Sequence, residues 1–101
     1  MVEEFHEYLK ENPLAGEFLE YLNKGNLIFV MQSYSNFYKL PEVRIGKKIA
    51  ESETFSEFDK ALPAINTLDG LVKFNVLEKL ECSPPQGYGV AFVYKYSSKN
   101  S

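Results

Sequence analysis

The sequence is poor in the residue types that form disulfides, metal centres and most nucleophilic active sites. Its 101 residues include one cysteine, Cys82, one histidine, His6, and no tryptophan. A single cysteine excludes an internal disulfide and a multi-cysteine metal site, so we expect a reducing, cytoplasmic location. His6 lies among glutamates, far along the chain from Cys82. We therefore expect neither an enzyme nor a protein with a metal or other cofactor.

The chain also lacks long apolar runs and a complete glycine-rich loop. Its longest strongly apolar run, residues 27–31, is far shorter than the roughly 20 residues that cross a bilayer. No basic segment followed by an apolar one opens the chain, so we expect no export signal and no membrane contact. Gly87 and Gly89 lack the further glycines and the following helix of a phosphate-binding loop.

Positive charge is scarce as well, and the charge is unevenly distributed. The formal net charge is −3, which argues against a protein that coats nucleic acid without sequence preference. Residues 1–25 contain six glutamates and two lysines, a charge of −4, so the remainder carries +1. Hydrophobic residues make up 45% and aromatic residues 15% of the chain, which is enough for one packed core.

Hydrophobic periodicity predicts mostly helices before residue 75. We expect helices over 2–12 and 13–23, the second begun by Pro13 and ended by Gly25. Residues 27–38 are ambiguous, because a strand accounts for their apolar start and a helix for the spacing from Tyr34 to Tyr38. We favour the helix, and we expect further helices over 42–52, 57–62 and from about Pro63 to Asn75.

The period changes after Asn75, where two strands over 76–82 and 88–96 flank a turn. The second strand alternates strictly, and we interpret its aromatic face as core packing rather than as a stacking surface for single-stranded nucleic acid. That face comprises Tyr88, Phe92, Tyr94 and Tyr96. The predicted fold class is mainly α with a small β-hairpin wing (α+β).

Two segments carry a resemblance to a known family. TFSEFDKAL (residues 54–62) looks like the first helix, and TLDGLVKFNVLEKLE (residues 67–81) like the junction of recognition helix and wing, in winged helix-turn-helix regulators of the ArsR, MarR and HxlR type. Asn75 stands where that family usually has glycine, and both residues tolerate a positive φ. The resemblance covers about residues 43–97. It implies a helical extension over 1–40, a winged helix-turn-helix over 41–97 and a disordered tail over 98–101.

The resemblance implies a transcriptional regulator that binds double-stranded DNA in a sequence-specific way. Its base readers would be Asn66 and Thr67, which could instead only cap the helix after Pro63. Its phosphate contacts would be cations that could equally form an ordinary solvated face, with Gln86 at the wing tip. These cations are Arg44, Lys47, Lys48 and Lys73.

Two alternatives stay open at the level of the sequence. The recognition helix contains Asp69 and Lys73 but no arginine, which also fits a winged helix that binds a protein partner instead of DNA. The region before residue 40 is rich in large apolar side chains, which predicts a homodimer through residues 27–38. Its helpers would be Leu14, Phe18 and Leu22. Alternatively, these helices complete the core of a monomer.

Overall fold

In the computed structural model, which describes residues 2–32, 41–57, 60–84 and 89–98, helices cover one face of an antiparallel sheet. The described part contains three α-helices, a short 3-10 helix and five strands in the order β3-β2-β1-β5-β4. The elements are α1 Val2–Glu11, α2 Pro13–Asn23, β1 Leu27–Gln32, β2 Pro41–Gly46, the 3-10 helix Ile49–Glu51, β3 Glu53–Glu57, α3 Ala61–Lys73, β4 Leu77–Cys82 and β5 Val90–Tyr96.

The predicted fold class, mainly α with a small hairpin wing, is wrong. Residues 27–32 form the central strand β1, which pairs with both β2 and β5. Their uninterrupted apolar run fits a strand buried on both faces, and such a run cannot be distinguished from a helix by periodicity alone. The remainder of the predicted helix, residues 33–38, lies outside the described residues.

The predicted helices over 42–52 and 57–62 are wrong for the same reason. Val43 and Ile45 are two residues apart and face the core from β2, which is the period of a strand rather than of a helix. Residues 49–51 form only a single 3-10 turn, and residues 53–57 form β3. A single α-helix, α3, replaces the expected pair and begins at Ala61.

The other predicted elements are confirmed. Helices α1 and α2 follow one another around Asn12 and Pro13, although the Asn12 side chain donates back to the Tyr8 carbonyl at 3.0 Å instead of capping α2. Helix α3 ends next to Asn75, whose φ of 62° is the left-handed conformation that the sequence indicated. The hairpin of β4 and β5 follows it with an unbroken register.

The core lies between the helices and the sheet. Phe18 of α2 and Leu68 of α3 are fully buried against Ile28 and Val43 of the sheet. The core therefore draws on residues from both sides of position 40. Phe18 and Leu22, which were expected at a dimer interface, are buried within the chain itself.

Helix α1 packs across α3. The Tyr8 hydroxyl donates to the Thr67 carbonyl at 3.0 Å, and Phe74 lies against the rings of Phe5 and Tyr8 at 5.7 and 5.2 Å. A Cβ atom at Gly70 would lie 2.6 Å from Cζ of Tyr8, so glycine is what allows this approach. Of the described helices, none combines the length and the apolar character needed to cross a membrane.

Candidate interaction surface

The two faces of the sheet have different environments. Ile28, Val43 and Tyr94 belong to the core beneath the helices. Because side chains alternate along a strand, their neighbours Phe29, Arg44 and Val93 point to the other side, which we call the outer face.

An apolar patch occupies the half of the outer face formed by β1, β5 and β4. Val93 pairs with Phe29 on one side and with Leu80 on the other, and Ala91 pairs in the same way with Met31 and Cys82. With Leu27, these residues form the apolar patch. Phe29 is only 4% exposed, whereas Leu80 at the sheet edge is 42% exposed. The patch thus has a closely packed floor and an exposed border.

Cys82 behaves as part of this apolar patch. The thiol is half-buried, and burial, together with the neighbouring Glu81, raises its pKa above the usual range. A protonated thiol packs as a small apolar group and is a poor nucleophile. Cys82 therefore extends the patch instead of marking a reactive site.

Arg44 borders the patch and is held by its own chain. Its guanidinium donates from Nε to Ser52 Oγ at 2.7 Å and from Nη1 to Glu42 and Thr54, each at 3.1 Å, and Nη2 donates to the Ser52 carbonyl. A Cβ at Gly46 would lie 2.7 Å from the Cα of Ser52, so glycine lets the 3-10 turn close over the end of β2. The outer face thus has a rigid polar border.

Beyond Arg44 the border is acidic. Glu42 of β2 lies directly opposite Glu57 of β3, and it also lies beside Met31 of the apolar patch. Like charges in directly opposed positions repel each other. Arg44 forms an ion pair with Glu42 at 3.1 Å, whereas Glu57 forms none within the described part of the chain. A positive charge from a partner would be favoured there.

The residues predicted to bind DNA do not share one surface. Thr67 is 6% exposed and donates its hydroxyl to the Pro63 carbonyl at 2.9 Å, so it is not accessible to a base edge. Asn66 and Lys73 are exposed on α3, on the helical side of the sheet, whereas Arg44 lies on the outer face. The sheet thus separates the base readers from Arg44.

The other predicted cations lie in the turn after β2. Lys47 and Lys48 are exposed there, and Lys48 lies 4.0 Å from Glu51. Gln86 lies outside the described residues. Helix α3 is flanked by α1 and α2, whose sequences include six glutamates, so the surface around it is acidic. That surface disfavours the approach of a nucleic acid backbone.

The helical side of β4 and β5 contains a hydrogen-bonded network rather than an open site. The buried Tyr94 donates its hydroxyl to Asp69 at 2.7 Å, and Lys79 Nζ lies 3.8 Å from the same carboxylate and 4.5 Å from the centre of the Phe92 ring. Burial, with the hydrogen bond to Asp69, raises the pKa of Tyr94 far above its usual range. Tyr94 therefore packs in the core, as the sequence predicted for that strand.

Other places offer less defined chemistry. A cavity of about 500 Å³ lies at the end of β2, where Tyr21 and Phe55 meet the charged side chains of Lys47, Glu51 and Glu53. Within the described ranges, no group of three or more histidine, cysteine, aspartate or glutamate side chains could hold a metal ion. The outer face is the more defined surface of the two.

The sequence contained part of the signal for the outer face. Alternation in the last strand already places Ala91, Val93 and Lys95 together, opposite the aromatic face. Sequence reasoning missed Phe29 and Leu80 because their place beside Val93 depends on strand pairing. No protein-family model matches the chain, and no curated protein or solved structure is significantly similar to it. Function must therefore be inferred from the chain's own geometry.

Proposed function

We propose that the protein is a protein-interaction module that binds its partner through the outer face of the sheet. The observation that carries this proposal is the apolar patch, which crosses three strands without a charged side chain and has a polar border. An apolar centre with a polar rim is the usual anatomy of a protein interface.

The partner that fits this face is an amphipathic protein segment with a lysine or arginine beside its apolar stripe. Its apolar side chains would cover Leu80, Val93 and Met31, and its basic group would lie at Glu57 and Glu42. The hydrogen bonds of Arg44 hold that border in place before binding. A preorganised border lowers the entropy lost on association.

Binding of double-stranded DNA is the competing function, and it stays a prediction. The burial of Thr67 and the separation of the cations over two faces weigh against it. The free Cys82 remains the argument for a reducing, cytoplasmic location, which we propose as well.

The first test measures fluorescence anisotropy with labelled probes. We expect a synthetic amphipathic helix of leucine and lysine to bind, and a matched helix of leucine and glutamate or a short DNA duplex to bind much more weakly. Met31→Lys places a charge in the apolar patch and neutralises the acidic border, so affinity for the leucine–lysine helix should fall by at least about tenfold.

The matched control is Val2→Lys, which makes the same change of charge at a side chain 68% exposed on α1. It should bind the probe like the unchanged protein. Equal losses in Val2→Lys and Met31→Lys would mean nonspecific attraction and would overturn the proposal. Tighter, salt-sensitive binding of the duplex would favour the DNA-binding function instead.

A further inference from the structure

The outer edge of β4 is suited to pairing with another strand. All six residues of β4 pair in continuous register with β5 on its inner side, and no strand pairs with its other side in the described ranges. The opposite sheet edge, β3, has five residues and pairs with β2 through an irregularity between Val43 and Arg44. A regular, unpaired edge strand is a template for association.

Symmetry restricts how two copies of β4 can pair. When two identical edge strands pair antiparallel, the twofold axis is perpendicular to the sheet, so residues that face each other lie on the same face of the joined sheet. The axis then passes through one residue of β4, which faces its own copy, and the residues on either side of it face each other.

One register satisfies both charge and hydrophobicity. An axis at Lys79 would place two lysines opposite each other, and an axis at Glu78 or Glu81 would place two glutamates opposite each other. An axis at Cys82 would place Leu80 opposite a proline, Pro84. An axis at Leu80 places leucine against leucine, and each Lys79 then lies opposite Glu81 of the partner subunit.

We propose that two copies of this chain associate by antiparallel pairing of β4 about Leu80. Leu80, exposed by 42% in the single chain, is then covered by its copy. Lys79 is already oriented along the helical side of the edge by Asp69, 3.8 Å away, and Glu81 is exposed and forms no ion pair within the described part of the chain. Two ion pairs therefore flank an apolar contact.

The same reasoning excludes self-pairing of β3. That strand contains no lysine or arginine, and an axis at its middle residue, Phe55, would place Glu53 opposite Glu57. Phe55 is also engaged by Phe18 in the core, with ring centres 5.1 Å apart. Charge complementarity thus selects β4.

Pairing through β4 joins the two sheets into one of ten strands and brings the two apolar patches together at Leu80. A partner that binds the outer face would meet a doubled surface. The proposed dimer does not depend on the proposed function, because Lys79 and Glu81 lie on the helical face of β4 and Met31 lies on the outer face of β1.

Sedimentation equilibrium of the full chain tests the dimer. At micromolar and higher concentrations we expect twice the monomer mass of 11.6 kDa. Glu81→Lys places lysine opposite lysine and should weaken association by at least about tenfold. Glu3→Lys makes the same change of charge on α1 and should leave association unchanged.

Mixing complementary variants gives the decisive result. Glu81→Lys and Lys79→Glu should each be monomeric alone and should form a heterodimer when mixed, because opposite charges then face each other at both positions. Should Lys79→Glu fail to fold after losing its contact with Asp69, an equimolar mixture of Leu80→Arg and Leu80→Glu replaces it. A monomeric unchanged protein, a mixture of folded variants that stays monomeric, or a species larger than a dimer would each overturn the proposal.

Discussion

At the scale of single residues, two glycines in helices have opposite surroundings. Gly70 of α3 lies beneath the Tyr8 ring, whereas nothing lies within 4 Å of the position that a Cβ would take at Gly16 of α2. The same substitution therefore tests close packing at one site and helix propensity at the other.

We expect Gly70→Ala to destabilise the protein by about 1–3 kcal/mol, because Tyr8 must move and lose its hydrogen bond to Thr67. Gly16→Ala should instead stabilise it by about 0.5–1 kcal/mol, since alanine is the better helix former. Urea denaturation followed by circular dichroism measures both. A stabilising Gly70→Ala would show that α1 does not pack on α3 as described.

At the scale of elements, Arg44 connects three of them. It lies on β2 and bonds the Thr54 hydroxyl of β3 and both the hydroxyl and the carbonyl of Ser52, directly after the 3-10 turn. Ser52 in turn donates to the Ile49 carbonyl at 2.6 Å. The planar guanidinium reaches these groups together, which a lysine ammonium cannot do.

Arg44→Lys should therefore lower the free energy of unfolding by about 2 kcal/mol, because it leaves acceptors at Ser52 without their donors. The exposed neighbour Lys47, changed to alanine, should alter stability by no more than about 0.5 kcal/mol. Thermal unfolding measures the two variants side by side. If Arg44→Lys matched the unchanged protein, the polar border of the outer face would not be rigid.

At the scale of the whole molecule, ionisation of Tyr94 links folding to alkaline pH. The folded chain raises its pKa above the ordinary value of about 10 through burial and the bond to Asp69. A group with a raised pKa contributes its full stability below its unfolded value, and that stability is lost as the pH rises further. The burial of Tyr8 and Tyr96 raises their pKa values in the same direction.

Stability should hence fall above about pH 10, and Tyr94→Phe should make that fall shallower. At neutral pH the same variant should cost about 1 kcal/mol through the lost hydrogen bond. Denaturation at a series of pH values, with tyrosine absorbance at each, follows both effects. Identical alkaline slopes for Tyr94→Phe and the unchanged protein would rule out this linkage.

Local signals by themselves determined several elements. Pro13 and Gly25 delimit α2, the spacing of apolar residues marks α3, and Asn75 ends it, because each signal acts through the backbone conformation of its own residues. Strict alternation likewise identifies β5. The polarity of its two faces, and so one strand of the candidate surface, follows from the order of its residues alone.

Only the tertiary structure decided the rest. Residues 27–32 and 41–46 become strands because β1 pairs with β2 and with β5, as in the pairing of Ile28 with Tyr94, which lies far along the chain. Such pairing leaves no local mark on a short apolar run. The outer face depends on it completely, since Phe29, Val93 and Leu80 become neighbours only when three strands from distant parts of the sequence lie side by side.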